Sequence, residues 1–166
     1  RDNQQTALVV AAGGSLLAHT EVAGTLLTVG ANPFLGGVGG VSAISLAVAR
    51  GDSALVEVLL VRSNTVDPSV KLKAQVEDAQ AGFSHPIIIA VETQHGHPEA
   101  CVALLCELGP WAVDEPDGCT GHDRVKNTRF RLGTVSSRTA LMAACAVGSF
   151  ECVRVLLANG ASVEAR

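Results

Sequence analysis

The chain is poor in aromatic side chains. Four Phe, one Trp and no Tyr make up 3% of its 166 residues, and only 17% of residues are charged. β-Sandwiches rely on aromatic and β-branched cross-strand pairs, so this shortage argues against one. Hydrophobic residues form 48% of the chain and are mostly small or aliphatic, which suits close packing of helices. We therefore predict an all-α fold in a single domain, since the length matches that of one domain.

Long apolar runs and a strong overall charge are also missing. No stretch approaches the roughly 18 apolar residues of a membrane span, and no signal peptide opens the chain. A net charge of −4 gives no global attraction for nucleic acid or an anionic membrane. Five cysteines, an odd number found mostly in apolar runs, indicate buried thiols in a reducing compartment. We expect an intracellular protein, in the cytoplasm rather than the nucleus.

A short frame recurs four times along the chain. It consists of Thr, Ser or His, a small residue or Pro, an aliphatic residue, two variable positions and Ala, at 6–11, 42–47, 85–90 and 139–144. A polar side chain can cap a helix start and Pro is tolerated in the first turn, so each copy predicts a short helix. A second aliphatic run follows each copy, at 22–27, 56–60, 101–106 and 152–157. Three of these runs end near a glycine suited to a left-handed helix stop: Gly30, Gly109 and Gly160.

This frame resembles the ankyrin repeat, with its Thr-Pro-Leu-His-x-Ala signature, Gly turn and Leu-Leu run ending in Gly-Ala over about 33 residues. The match is closest at 139–166. The resemblance implies a solenoid of stacked helix pairs with finger-like or hairpin insertions, which binds other proteins rather than catalysing. It places repeats at about 1–33, 37–67, 81–114 and 134–166 and insertions at about 69–80 and 115–136. Extra residues within 13–21 and 92–100 predict longer turns in the first and third repeats. Because the chain begins without Met and stops within the pattern, we expect it to belong to a longer protein with further repeats or domains.

The two insertions differ in character. Residues 67–82 predict an extra short helix, which either covers a gap between repeats or contacts a partner. The second insertion, together with the residues up to the next frame at 139, holds five of the twelve basic residues, namely Arg124, Lys126, Arg129, Arg131 and Arg138. The alternation of apolar and polar residues at 125–132 predicts a β-hairpin arm there. This arm either grips an acidic peptide or phosphate or lies across the acidic body of the protein. Nucleic acid is a disfavoured partner, because Phe130 is the one aromatic residue in the arm on which a base could stack.

Motifs for a metal site, a nucleophile or a phosphate loop are weak in this sequence. His95, His97 and Cys101, with Cys119 and His122, are zinc-ligand types at loose spacing, so we predict no metal and no cofactor. Cysteines in aliphatic runs have raised rather than lowered pKa values, which disfavours a nucleophile. The glycines at 36–40 lack the Lys-Ser/Thr of a phosphate loop and indicate a finger. We predict neither an enzyme nor a small-molecule substrate.

The family resemblance implies that partners bind the concave face of the stack. Carried over position by position, this face comprises Val38, Gly39, Val41, Ala49, Arg50, Glu92, Thr93, Ser136, Arg138, Ala146 and Val147, joined by the basic arm. The predicted function is a non-catalytic protein-interaction or scaffolding module that binds a protein segment there. The alternative is a structural spacer whose repeats pack against other parts of the parent chain or self-associate.

Overall fold

Eight helices form in the part of the chain that the structure, a computed structural model, describes. It describes residues 6–14, 17–35, 41–63, 85–93, 96–108, 112–114 and 138–165, and no strand occurs among them. The predicted inserted helix and basic hairpin lie outside these ranges. In chain order, the helices are α1 (Ala7–Gly13), α2 (Leu17–Thr28), α3 (Ala43–Ala49), α4 (Ser53–Ser63), α5 (Pro86–Glu92), α6 (Pro98–Leu108), α7 (Ala140–Val147) and α8 (Phe150–Ala158).

Each frame opens a helix, as predicted. The hydroxyls of Thr6, Ser42 and Thr139 each accept a hydrogen bond of 3.2–3.3 Å from the backbone amide three residues later. Each bond satisfies one of the amides that a helix start leaves unpaired. In the third copy, His85 makes no such side-chain bond, and Pro86 occupies the first helical position instead.

Glycines end the second helices of the first and fourth copies. Gly30 and Gly160 have φ values of 92° and 87°, in the left-handed region that favours glycine. The next amides, of Ala31 and Ala161, donate back to the carbonyls of Leu26 and Leu156. This arrangement closes the helix ends and confirms two of the three predicted glycine stops. Gly109 lies outside the described residues.

The helices pair into four units that stack in two layers. Unit one is α1 and α2, unit two α3 and α4, unit three α5 and α6, and unit four α7 and α8. The first helices stack in the order α1, α3, α5, α7, and the second helices in the order α2, α4, α6, α8. The core between the layers includes the third frame position, occupied by Leu8, Ile44, Ile87 and Leu141, all buried. The all-α solenoid prediction is confirmed. No helix among the described residues is long and apolar enough to span a bilayer.

The connections within units correct one prediction. In unit three α5 and α6 are joined by residues 93–97, a longer turn than residues 50–52 in unit two, as predicted. In unit one the expected long turn is wrong. Residues 14–16 join α1 to α2, which matches unit two in length, because α2 already begins at Leu17. The extra residues of unit one therefore lengthen α2 and not the turn before it.

Candidate functional site

The predicted binding residues that the structure describes follow the first helices of the units. Ala49 and Arg50 end α3, Glu92 and Thr93 end α5, and Ala146 and Val147 end α7, whereas Val41 and Arg138 precede α3 and α7. Hydrogen bonds between successive helix ends, described below, show that these ends are neighbours. We call this edge the inner rim. The remaining predicted residues lie outside the described ranges: Val38, Gly39, Arg124, Lys126, Arg129, Arg131 and Ser136.

An ion pair joins two of the predicted binding residues. Nη2 of Arg138 lies 2.6 Å from Oε1 of Glu92, and the two side chains are 34% and 27% exposed. A charge-assisted bond of this length fixes both side chains and links unit three to unit four. The two charges offset each other, so neither is an isolated charge for a partner.

The other polar residues of the rim also bind the neighbouring unit. Nη1 of Arg50 donates to the carbonyl of Gly13 at the end of α1. The Thr93 hydroxyl lies 2.8 Å from the carbonyl of Ile89 in its own helix and 3.3 Å from that of Val48 in α3. These bonds cross two junctions between units. The polar groups of the rim therefore hold the stack together, in addition to any role at a surface.

Apolar residues are exposed at the rim of unit four. Val147 is exposed and Ala146 is half-buried. Phe150, absent from the predicted set, follows across the Gly148 turn and is 71% exposed. Its signal in the sequence is a large apolar residue at the first position of α8, where α4 has Ser53. An exposed Phe beside an exposed Val is an apolar anchor point.

A second apolar feature runs along the first helices. Four residues after each helix cap, units one to three carry Val10, Leu46 and Ile89, which we call the inner stripe. Val10 is 59% exposed, whereas Leu46 and Ile89 are partly buried against the core. In unit four this register holds Ala143, which is buried. The sequence signal was a variable position of the frame that is aliphatic in all four copies.

The turns of units two and three are in close contact. Gly96 has φ 72°, and a Cβ there would lie 2.3 Å from the carbonyl oxygen of Gly51. The His97 amide donates a 3.2 Å hydrogen bond to the same carbonyl. Only glycine fits this position, because both its backbone angle and the neighbouring turn exclude a side chain. The longer turn of unit three is thereby fixed against unit two.

Three of the described cysteines have thiols with raised pKa values. Burial, followed by the charges of Asp52 and Glu99, raises the pKa of Cys101 to about 11. Burial, with the charge of Glu107, raises the pKa of Cys106 to about 11, and burial also raises the pKa of Cys152. A nucleophilic thiol requires the opposite shift. Among the described residues no His, Cys, Asp and Glu side chains cluster as metal ligands. Cys119 and His122 lie outside them.

An open groove lies between α2 and α4. It is lined by Thr20, Gly24, Thr25, Thr28 and Arg62, among others. The hydroxyls of Thr25 and Thr28 donate to carbonyls of their own helix at 3.0 and 2.6 Å, and Arg62 donates to the Gly24 carbonyl at 3.3 Å. These three side chains are already engaged in helix and inter-helix bonds. Thr20 and Glu21 also line the groove.

Comparison with known proteins agrees with this architecture. A family model described as ankyrin repeats matches residues 44–166 in three copies. Its match covers units two to four, and unit one stacks on them in the same manner. No curated protein is significantly similar to the chain.

Proposed function

The chain belongs to the ankyrin repeat family, and on that premise we propose that it is a non-catalytic module that binds a protein segment along its inner helices. Ankyrin repeats generally mediate protein–protein interaction and are typically non-enzymatic. The raised pKa values of Cys101 and Cys106 support a role without thiol chemistry.

The observation that carries this proposal is the inner stripe. Val10, Leu46 and Ile89 share one register on successive first helices, and packed helices lie about 8–10 Å apart. The stripe therefore extends over about 20 Å, which corresponds to roughly 13 residues of a bound helix. We propose a partner segment that places apolar side chains along the stripe. Val147 and Phe150 extend the apolar surface at unit four.

The basic arm supplies a charged element to this proposal. Residues 123–138 contain five basic residues and one acidic residue, a net charge of +4, so the rest of the chain carries −8. Because Arg138 is bound to Glu92, four of the five basic residues remain for the arm. We propose that Arg124, Lys126, Arg129 and Arg131 hold an acidic element of the partner. Opposite charges also increase the rate of association at low salt.

We propose that this module acts as a scaffold in the cytoplasm. The four described cysteines form no disulfide. Free thiols persist in a reducing compartment, whereas small extracellular domains commonly pair them.

A peptide-display selection on the folded 166-residue chain tests the function. Selected peptides are then titrated against Val10→Glu and against Val61→Glu, a matched change at a comparably exposed valine on the second helix α4. We expect Val10→Glu to weaken binding at least about tenfold, because it places a charge in the stripe, and Val61→Glu to leave it unchanged. Equal effects of the two variants, or no selected peptide, would contradict the proposal.

A second measurement tests the arm separately. Peptides with and without acidic residues are titrated against the Arg129→Glu, Arg131→Glu double variant at low and high salt. We expect only the acidic peptides to lose affinity, and the loss to shrink as salt increases. Binding of acidic peptides that is unaltered by the double variant would remove the arm from the proposal and leave the stripe untouched.

A further inference from the structure

The two arginines described at the inner rim are not equivalent. Arg138 lies 2.6 Å from a carboxylate oxygen of Glu92, so its charge is offset within the stack. Arg50, at the end of α3, has no carboxylate within ion-pair distance in the described ranges. Its side chain makes one hydrogen bond, from Nη1 to the backbone carbonyl of Gly13. The rim of unit two therefore carries a positive charge that no described residue pairs with.

The nearest acidic residue in the sequence faces away from Arg50. Asp52 accepts a 3.1 Å hydrogen bond from the Leu55 amide in the first turn of α4. Its charge also raises the pKa of Cys101 in α6, which places the carboxylate toward unit three. Asp52 is thus engaged at the start of the second helix, and the guanidinium of Arg50 is left for a carboxylate from outside the stack.

Arg50 borders the inner stripe. It follows Leu46 on α3 by four residues, and residues at that spacing share one face of a helix. A Cβ on Gly13 would lie 3.7 Å from Cδ2 of Leu46, so the end of α1 lies against the stripe and also, through its carbonyl, against the guanidinium. Val10 lies one turn before Gly13 on the same helix. The charge is therefore beside the part of the stripe that Val10 and Leu46 form.

The other units do not repeat this charge. Eight residues after the helix cap, where unit two has Arg50, units one, three and four carry Gly14, Thr93 and Val147. The Thr93 hydroxyl lies near two backbone carbonyls, and Val147 is apolar. A single charge beside an apolar stripe can fix the register of a bound segment, because only one alignment pairs that charge.

The bond to Gly13 prepares the guanidinium for a second partner. A guanidinium presents its N–H donors in a rigid planar fork, and Arg50 directs one of them to the Gly13 carbonyl. That bond restricts a side chain that is already half-buried, so less conformational entropy is lost when a ligand binds. The remaining donors can make two parallel hydrogen bonds to one carboxylate.

We infer that Arg50 binds an Asp or Glu side chain of the partner segment and thereby determines where along the stripe the segment lies. This inference rests on the proposed function, because it concerns the same bound segment. It is separate from the contact with the basic arm, since Arg50 lies at the junction of units one and two and the arm precedes unit four. The partner is an amphipathic segment with an acidic residue on the flank of the apolar residues that contact Val10 and Leu46.

Reversal of the charge tests this contact. Peptides are selected by display on the wild-type 166-residue chain and on Arg50→Glu, and are aligned on their apolar residues. We expect Asp or Glu to be enriched at one position on the wild type, and Lys or Arg at that position on Arg50→Glu. Arg154→Glu, which reverses an exposed arginine on α8, should retain the acidic preference there. The Arg129→Glu, Arg131→Glu double variant should retain it too, which separates Arg50 from the arm.

Titrations of one selected peptide then measure the coupling. Replacing its enriched acidic residue by the matching amide should weaken binding to the wild type about fivefold and leave binding to Arg50→Gln unchanged. Gln keeps an N–H donor for the Gly13 carbonyl, so this variant carries the test if Arg50→Glu does not fold, which thermal unfolding checks.

Two kinds of failure are distinguishable. Selected peptides that show no acidic preference, or show the same preference on Arg50→Glu, overturn the inference and leave binding along the stripe in place. An equal loss on the wild type and on Arg50→Gln overturns it as well. If the wild type selects no peptide, the proposed function fails and this inference fails with it.

Discussion

Arg138, just before the first helix of unit four, donates a 2.6 Å hydrogen bond to Glu92 at the end of the first helix of unit three. The resemblance to the ankyrin repeat predicts that both residues belong to a partner-binding face, yet here they bind each other. With Arg50 bound to Gly13 and Thr93 close to Val48, every junction between units is crossed by a polar contact at the inner rim. The same surface therefore stabilises the stack and borders the apolar stripe.

The first prediction concerns the strength of this ion pair. A double-mutant cycle of Glu92→Gln and Arg138→Gln, measured by urea unfolding, should give a coupling free energy of about 1 kcal/mol that decreases with salt. The control is Glu151 and Arg154, which lie 3.4 Å apart within α8 and are more exposed. Their cycle should give about 0.3 kcal/mol. Equal coupling in both cycles would show that the inter-unit pair is an ordinary surface contact.

The second prediction concerns the contact between the turns of units two and three. Gly96→Ala should lower the free energy of unfolding by about 3 kcal/mol or more, because its Cβ would clash with the Gly51 carbonyl. Gly148→Ala is the matched control: its φ of 77° resembles the 72° of Gly96, but no atom lies within 4 Å of its Cβ position. It should cost only about 1 kcal/mol, from the backbone angle alone. If the two variants are equally stable, the turns are not in contact.

Local chemistry explains which parts of the fold were predictable. The helix caps are local, because the hydroxyls of Thr6, Ser42 and Thr139 each bind an amide three residues away. The helix stops are local too, because Gly30 and Gly160 adopt a left-handed backbone conformation. Both roles are therefore encoded within a few residues. The rim contacts instead join residues that are 37–46 positions apart, and two of the three contacts span insertions of unequal length. Aligning the four copies of the repeat identified the rim residues, but it did not identify the residues to which they bind.

The inner stripe shows the same limit for the candidate site. Val10 and Ala143 occupy one register of the frame, and one is exposed while the other is buried. Exposure depends on which neighbours lie beside each unit, and the sequence of a single unit does not contain that information. Aliphatic residues at a variable position were a signal of the stripe, but its extent required the stacked structure.

The third prediction concerns alkaline pH. Burial raises the pKa of Cys101 and of Cys106 to about 11 in the folded chain, above the ordinary thiol value of 9.0. Between about pH 9 and pH 11 the unfolded chain therefore binds fewer protons than the folded chain, and stability is lost as pH rises. Each thiol contributes a slope of up to about 1.4 kcal/mol per pH unit.

Urea unfolding at several alkaline pH values measures this slope. Cys101→Ala should reduce it, because the variant no longer buries that thiol. Val102→Ala, which removes a buried aliphatic side chain next to Cys101 on α6 but no titratable group, should leave the slope unchanged. A slope that is identical in wild type and Cys101→Ala would show that this thiol is not the source of the alkaline instability.

The fourth prediction concerns two buried hydroxyls at the start of α3. Ser42 Oγ accepts from the Ser45 amide at 3.2 Å and lies 2.8 Å from Ser45 Oγ. Ser42→Ala should cost about 2–3 kcal/mol, because it removes the helix cap and leaves the Ser45 hydroxyl without this partner. Ser45→Ala should cost only about 1 kcal/mol, since Ser42 still caps the helix. Both are measured by urea unfolding.

The cap and the hydroxyl pair can be separated by comparison with unit four. Thr139 caps α7 through the Met142 amide, and Met142 has no hydroxyl to lose a partner. Thr139→Ala should therefore cost about 1 kcal/mol, the value of a cap alone. The Ser42→Ala, Ser45→Ala double variant should cost clearly less than the sum of its single variants, because no hydroxyl remains buried without its partner. Strict additivity, together with equal costs for Ser42→Ala and Thr139→Ala, would mean that the two serines do not interact and that Ser42 acts only as a cap.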